Sequence, residues 1–296
     1  MNYYVLPGTT IHGGIKVGFQ FCDLLSQLGV KIVVATPDGT APTWFTSSVA
    51  VIPFERVKAD VTSADTVLFS LPQDYPSLRE LPGRLVFHCQ GTDPLIEPVI
   101  ADPDVGLLSC WSQAHDFMRN KTGRDPVDVG ISVSDCFQYE GEPKRDDVVA
   151  FMPRRGAAIA ADCQRRTPDL SYLAIHNQIE PDCAHTMKRA GWYLATSVGE
   201  WFGLPALEAM AAGCLVASVP VIGGMEYLVS DSNCLLGEPE TLPAAIERLS
   251  RTGFEEERAR LRQRGLETAQ GYRRSIQRRK LARSLQGPLG ELLSWA

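Results

Sequence analysis

Short apolar runs recur along the chain, and the stretches between them carry apolar residues at helical spacing. In the first half the runs are YYVLPG, KIVVAT, VAVIPF, TVLFSL, RLVFHC, VGLLSC and VDVGI, with GFQFCDLLSQLG among the intervening stretches. This alternation predicts an α/β fold with a parallel sheet, whose strands are continuous apolar runs because both faces are covered. The segment SDCFQYEGEPKRDD, residues 134–147, then interrupts the pattern with charge, Gly and Pro. That composition predicts a domain boundary near residue 140.

The alternation restarts with VVAFMP, LSYLAIH, WYLATS, CLVASV and NCLL. Helices are expected around 157–166, 181–190, 205–213 and 223–229, and the chain from about Leu242 onward is helical by period. The predicted organisation is two Rossmann-like domains, residues 1–140 and 141–275, facing across a cleft. A helix over 276–296 is expected to return to the first domain. Ligands in such sheets bind beyond the carboxyl ends of the strands.

Composition narrows this picture. With 44% apolar and 22% charged residues the chain reads as globular, and no run approaches the length of a membrane-spanning helix. The start, MNYYVLPGTT, has neither a basic nor a long apolar segment, so no leader peptide is expected. The eight cysteines are scattered without a CxxC pair, which points to reduced thiols and a cytoplasmic protein. The net charge of −6 argues against a nucleic-acid partner. Basic charge gathers locally in Arg154 and Arg155 and in YRRSIQRRKLAR. That last run reads first as a solvated helix face, with an acidic lipid surface or polyanion as the alternative.

The most informative stretch is GEWFGLPALEAMAAGCLVASV, from Gly199. Pro205 suits the first turn of a helix, Gly203 a tight approach before it and Gly213 its end. A helix N-terminus offers N–H groups and partial positive charge to a phosphate. Glu208 falls about one turn inside this otherwise small and apolar helix. A buried carboxylate needs a partner, and the vicinal hydroxyls of a ribose suit an acceptor-only group. The alternative is a carboxylate that faces water and gains from the helix dipole.

Glu200 and Glu208, Phe-Gly-Leu-Pro between them, Glu-Ala-Met-Ala-Ala-Gly and the downstream GGMEYL together resemble the E-x7-E region of the retaining GT-B glycosyltransferases of family 4. The resemblance covers most of residues 148–284 and the first half only loosely. It implies that Glu208 binds the donor ribose, that Glu200 holds sugar hydroxyls near the reacting carbon, and that Phe202, Gly203 and Leu204 offer backbone N–H groups to sugar and diphosphate. Arg154 and Arg155, in VVAFMPRRGAA, match the positions where the family sets basic residues on the diphosphate. His176 and Asn177, after LSYLAI, match its nucleobase pocket. The donor is then a nucleoside-diphosphate sugar.

In the first half, TTIHGGIKVGFQ resembles the family's opening glycine loop, with Gly13 and Gly14 near the donor and His12 on the acceptor side. RLVFHCQGTDP puts His88, Gln90 and Asp93 at a strand end. The resemblance gives His88 a place beside the transferred sugar; a satisfied structural histidine is the alternative. Asp93, followed by Pro94, also reads as an N-cap. Ser112 is a further acceptor-side candidate, His115 reads as a helix-surface residue, and Tyr272 opens a closing helix expected to be structural. Departures are Trp201, where a small residue is commoner, and Arg155 in place of a frequent lysine.

No metal or other cofactor is expected, since no carboxylate pair or His/Cys set has ligand spacing. The acceptor reads as a small soluble molecule, such as a secondary metabolite or low-molecular-weight thiol, with a cell-surface glycan as the alternative. A non-catalytic nucleotide-sugar-binding subunit is the rival from another class. A dinucleotide oxidoreductase is disfavoured, because GTTIHGG does not have the GxGxxG spacing.

Overall fold

The structure is a computed structural model that describes residues 1–293. The described residues form two compact units: Met1–Ser132 together with 274–293, and Val133–Arg273.

The first unit holds seven strands: β1 (Asn2–Val5), β2 (Ile32–Thr36), β3 (Val51–Pro53), β4 (Thr66–Phe69), β5 (Arg84–Cys89), β6 (Gly106–Ser109) and β7 (Val127–Asp128). All pair in parallel in the order β3-β2-β1-β4-β5-β6-β7, so the strand order reverses between β1 and β4. Tyr4, Val34, Leu68, Val86 and Leu108 pack beneath the helix Gly13–Gln27. This helix is buried from Ile15 to Leu25 because a second layer covers it: Leu281, Leu285, Leu289 and Leu293 join the same core. Its buried Asp23 accepts hydrogen bonds from the Ser48 N–H and hydroxyl and the Val49 N–H, which ties down the loop before β3.

The second unit holds β8 (Arg145–Phe151), β9 (Ser171–Ala174), β10 (Ala190–Ala195), β11 (Leu215–Ser218) and β12 (Leu235–Leu236), all parallel, in the order β12-β11-β10-β8-β9. Here the order reverses between β10 and β8. Trp192, Leu194, Leu215 and Ala217 form its core with Leu242, Ile246 and Leu249 of the helix Leu242–Ser250 and Leu261 of the helix Glu255–Gln270. Each of the twelve apolar runs quoted above overlaps one of these twelve strands.

Three expectations are corrected. The single helix expected over 276–296 is two, Arg274–Ser284 and Pro288–Leu292, and the end of that range, 294–296, lies outside the described residues. The boundary lies at residues 132–133, not near 140: Val133 bridges Arg273, and the Tyr139 N–H donates to the Ala211 carbonyl, so the charged segment packs on the second unit. The helix expected over 223–229 is only a short 3-10 turn, Gly224–Glu226.

Candidate functional site

In a doubly wound sheet, the loops leaving the two strands on either side of the reversal splay apart and open a crevice. In the second unit those are the loops after β8 and β10. The first carries Met152-Pro153-Arg154-Arg155-Gly156 and the second runs from Thr196 to Gly203. The buried Thr196 hydroxyl donates to the Arg155 carbonyl at 2.6 Å. Gly156, at φ +74°, is pressed so close that a Cβ there would stand 2.1 Å from the Thr196 carbonyl oxygen. The two loops are therefore one rigid ledge.

On that ledge Arg155 Nη1 stands 3.6 Å from Glu200 Oε2, with both side chains partly exposed at 48% and 37%. An exposed pair of this kind adds little stability, about 0–1 kcal/mol, so its groups are available to a ligand. Arg154 is exposed next to it.

The segment after β11 fixes the other side of the Glu200 loop. The Ile222 N–H donates to the Glu200 carbonyl at 2.8 Å, the Gly223 N–H donates to Trp201, and the buried Tyr227 hydroxyl donates to Gly203 at 2.6 Å. A Cβ on Gly224 would lie 2.1 Å from the Phe202 carbonyl oxygen. The rings of Phe202, Tyr227 and Tyr272 form a cluster with centroids 5.2 to 6.1 Å apart, closed by the Tyr272 hydroxyl on Glu226 Oε1 at 3.0 Å. Burial holds the Tyr227 phenol well above its ordinary pKa, so it stays a neutral donor to Gly203. Trp201 is half-buried in this loop.

Gly203, at φ +77°, opens the helix Leu204–Ala211, and Glu208 is buried one turn in, at 5% exposure. Burial first, then the Glu208 charge, raise the Tyr193 phenol well above its ordinary pKa. Glu208 has interactions within the protein. Burial alone therefore does not require a ligand to supply its partner. His176 and Asn177 are exposed after β9, the neighbour of β8, with Asn177 Nδ2 3.2 Å from His176 Nε2 and Asn177 itself at φ +50°. The carboxyl ends of adjacent strands thus gather Arg154, Arg155, Glu200, the Phe202-Gly203-Leu204 turn, His176 and Asn177 on one side of this sheet.

Within the first unit, Gly14 and Gln90 come together: a Cβ on Gly14 would stand 2.7 Å from Gln90 Oε1. Gly13 faces open space, and His12 caps the helix Gly13–Gln27 by accepting from the Gly14 N–H at 3.2 Å. His88 corrects the expectation of an active-site residue. It is fully buried, its Nδ1 is 2.8 Å from the Tyr4 hydroxyl, its Nε2 is 2.9 Å from Cys110 Sγ, and the Phe21 ring lies 4.8 Å away. Burial lowers its pKa to about 3, so it is a neutral core imidazole. Asp93 caps the turn Pro94–Ile96 through the Leu95 N–H at 2.8 Å. Ser112 is exposed at the start of the helix Ser112–Thr122. His115 is more than a surface residue, lying 3.3 Å from both Ser109 Oγ and Asp125 Oδ1.

Thr196, Gly156 and Gly224 were not singled out from the sequence, yet they set the ledge. Gly156 lies in the quoted VVAFMPRRGAA, Thr196 in WYLATS and Gly224 in GGMEYL, but nothing in those stretches marks which residues touch. Among the described residues no group of three or more His, Cys, Asp or Glu side chains is placed to hold a metal ion.

The family model for glycosyl transferases group 1 matches residues 173–268, which include the Glu200 loop, the helix with Glu208 and the segment around Gly224. Over residues 173–268 the chain is therefore similar to the glycosyl transferases group 1 domain. No curated protein matches the chain by sequence. Among solved structures, sucrose-phosphate synthase of Thermosynechococcus elongatus superposes with a TM-score of 0.73 at 14% identity, covering 96% of this chain and 98% of that one. HepE of Anabaena, in complex with UDP and glucose, gives 0.72 at 14% identity over 97% and 99%. WaaG, a glycosyltransferase involved in lipopolysaccharide biosynthesis, gives 0.67 at 11% identity over 97% and 100%. With its two parallel sheets, the chain has the GT-B fold.

Proposed function

We propose that this protein transfers a sugar from a nucleoside-diphosphate sugar to an acceptor, with retention of anomeric configuration, as a member of family 4. The observation that carries the reading is the placement of Arg155 3.6 Å from Glu200 at the strand-order reversal of the second unit, in and beside the group 1 domain. When the bond from the sugar C1 to the diphosphate oxygen breaks, the leaving group gains negative charge. Arg154, Arg155 and the start of the helix Leu204–Ala211 stabilise that charge. Glu200 accepts from hydroxyls of the sugar, and Glu208 accepts from the ribose. The acceptor oxygen or sulfur bonds to C1 on the face the diphosphate leaves, and its proton passes to the departing phosphate oxygen.

HepE is solved with UDP and glucose, so a UDP-linked hexose is the first donor to test. Eight free cysteines, seven of them buried, suit a reducing compartment, which supports a cytoplasmic enzyme acting on a small soluble acceptor. The experiment is a thermal-shift screen of UDP-, GDP-, ADP- and dTDP-linked sugars, since a ligand that binds only the folded state raises Tm. It is followed by NMR of the product made from the stabilising donor. One donor class raises Tm and gives a product with the donor's anomeric configuration; an inverted product overturns retention, and no shift with any nucleotide overturns the donor site.

A further inference from the structure

We propose that the outer face of the helix Arg274–Ser284 is a docking surface for an anionic membrane. This helix carries five basic residues and no acidic one, RSIQRRKLARS. The preceding helix, Glu255–Gln270, pairs its charges instead: Arg258 with Glu255, Arg264 with Glu267 and Arg262 with Asp146. Several exposed cations elsewhere are also matched, as in Arg56 with Asp60, Lys121 with Glu97 and Arg251 with Glu247, while single ones such as Arg154 and Arg189 are not matched among the described residues. The helix Arg274–Ser284 differs in lining three of them along one element.

On the helix Arg274–Ser284, Lys280 meets Asp128 at 2.6 Å and Arg274 lies 3.9 Å from Asp23. Arg278, Arg279 and Arg283 are exposed, with no ion pair or side-chain hydrogen bond among the described residues. The helix is anchored by its other side. Gln277 Nε2 donates to the Val129 and Gly130 carbonyls, and Leu281 is fully buried. Residues three and four apart share a helix face, so Ile276, Arg279 and Arg283 form one outward line with Arg278 beside it. Ile276 is itself 37% exposed.

In a chain of net charge −6, a local row of unmatched arginines selects an anionic partner. Guanidinium forks match phosphate oxygens, and a straight row on a short, rigid helix suits a planar phosphate array better than a groove that winds. The apolar side chain in the same line suits the boundary between headgroups and acyl chains. The rest of the helix face is polar, so the contact is electrostatic and reversible rather than an insertion.

The test is co-sedimentation of the full chain with vesicles of phosphatidylcholine alone and of phosphatidylcholine with one-third phosphatidylglycerol, alongside a triple variant, Arg278→Gln, Arg279→Gln and Arg283→Gln. Wild type binds the anionic vesicles and not the neutral ones, and is released near 1 M salt, where the Debye length is about 3 Å. The triple variant binds on the order of 100-fold more weakly, from roughly five-fold per arginine at an anionic surface, with Tm and nucleotide-sugar binding unchanged. A control triple variant in paired arginines, Arg56→Gln, Arg165→Gln and Arg264→Gln, keeps wild-type binding. Failure of wild type to bind anionic vesicles, equal loss in the control, or tighter arginine-dependent binding to heparin or RNA than to vesicles each overturns the proposal.

Discussion

The Arg155 guanidinium reaches to 3.6 Å from the Glu200 carboxylate because the loops that bear them leave the two strands at which the sheet of the second unit reverses its order. Thr196 and Gly156 lock those loops together. The arrangement puts one cation and one acceptor side by side, on backbone that cannot drift. A diphosphate and the hydroxyls of its sugar need that combination.

On the proposed function, replacing Arg155 with Ala removes a charge that acts on the leaving diphosphate. By analogy with loss of one donor to a developing anion, kcat falls about 100- to 1,000-fold, or roughly 3–4 kcal/mol. Arg155→Lys keeps the charge but not the fork and recovers part of the rate. Steady-state kinetics with saturating donor check both; a wild-type kcat for Arg155→Ala contradicts the assignment.

Glycine substitutions separate the ledge from open space. Gly156→Ala and Gly224→Ala each drive a Cβ to 2.1 Å from a carbonyl oxygen, so the backbone must shift. Each variant is expected to lose about 2–4 kcal/mol of stability, within the range for strain and overpacking, together with donor-induced protection. Gly13→Ala meets nothing within 4 Å and keeps its Tm. Calorimetry of the three variants with and without nucleotide sugar distinguishes them.

His88 makes stability depend on pH. Its imidazole is held at about 3 in the folded protein by burial, against about 6.5 when unfolded. Below pH 6.5 the unfolded chain takes up a proton that the folded protein refuses. The contribution is therefore fully present above pH 6.5 and is lost as pH falls toward 3, at about 1.4 kcal/mol per pH unit. Between pH 6.5 and 5 the loss is about 2 kcal/mol. His88→Gln is less stable at pH 7.5 but has a flatter profile over that window, measured by urea unfolding. A profile as steep as wild type contradicts the burial of a neutral His88.

Tyr227→Phe deletes the hydroxyl that donates to Gly203 and leaves the ring cluster in place. A buried hydrogen bond lost this way costs about 1 kcal/mol. Because the acceptor sits at the turn into the helix Leu204–Ala211, donor KM rises while acceptor KM does not. Two-substrate kinetics test that split.

The strands were legible in the sequence because parallel strands covered on both faces leave unbroken apolar runs, as KIVVAT and CLVASV do. The turn before Leu204 was legible because Gly203 and Pro205 are backbone requirements written directly as residue types. Other features depend on what meets what. The charged segment 134–147 records exposure to water, but not that Val133 pairs with Arg273. His88 reads as a polar residue at a strand end, while the partners that bury it, Tyr4 and Cys110, come from β1 and the end of β6. GGMEYL has the period of a helix, yet Gly224 is pressed against the Phe202 carbonyl and only one tight turn forms.

The most direct test of the account is acceptor-dependent release of nucleoside diphosphate, followed for wild type and Glu200→Gln with the donor that raises Tm. The account predicts release by wild type and a rate at least about 100-fold lower for Glu200→Gln, with donor protection retained. Equal release by the two proteins, or a donor bound by wild type and never turned over with any acceptor in the panel, would contradict it.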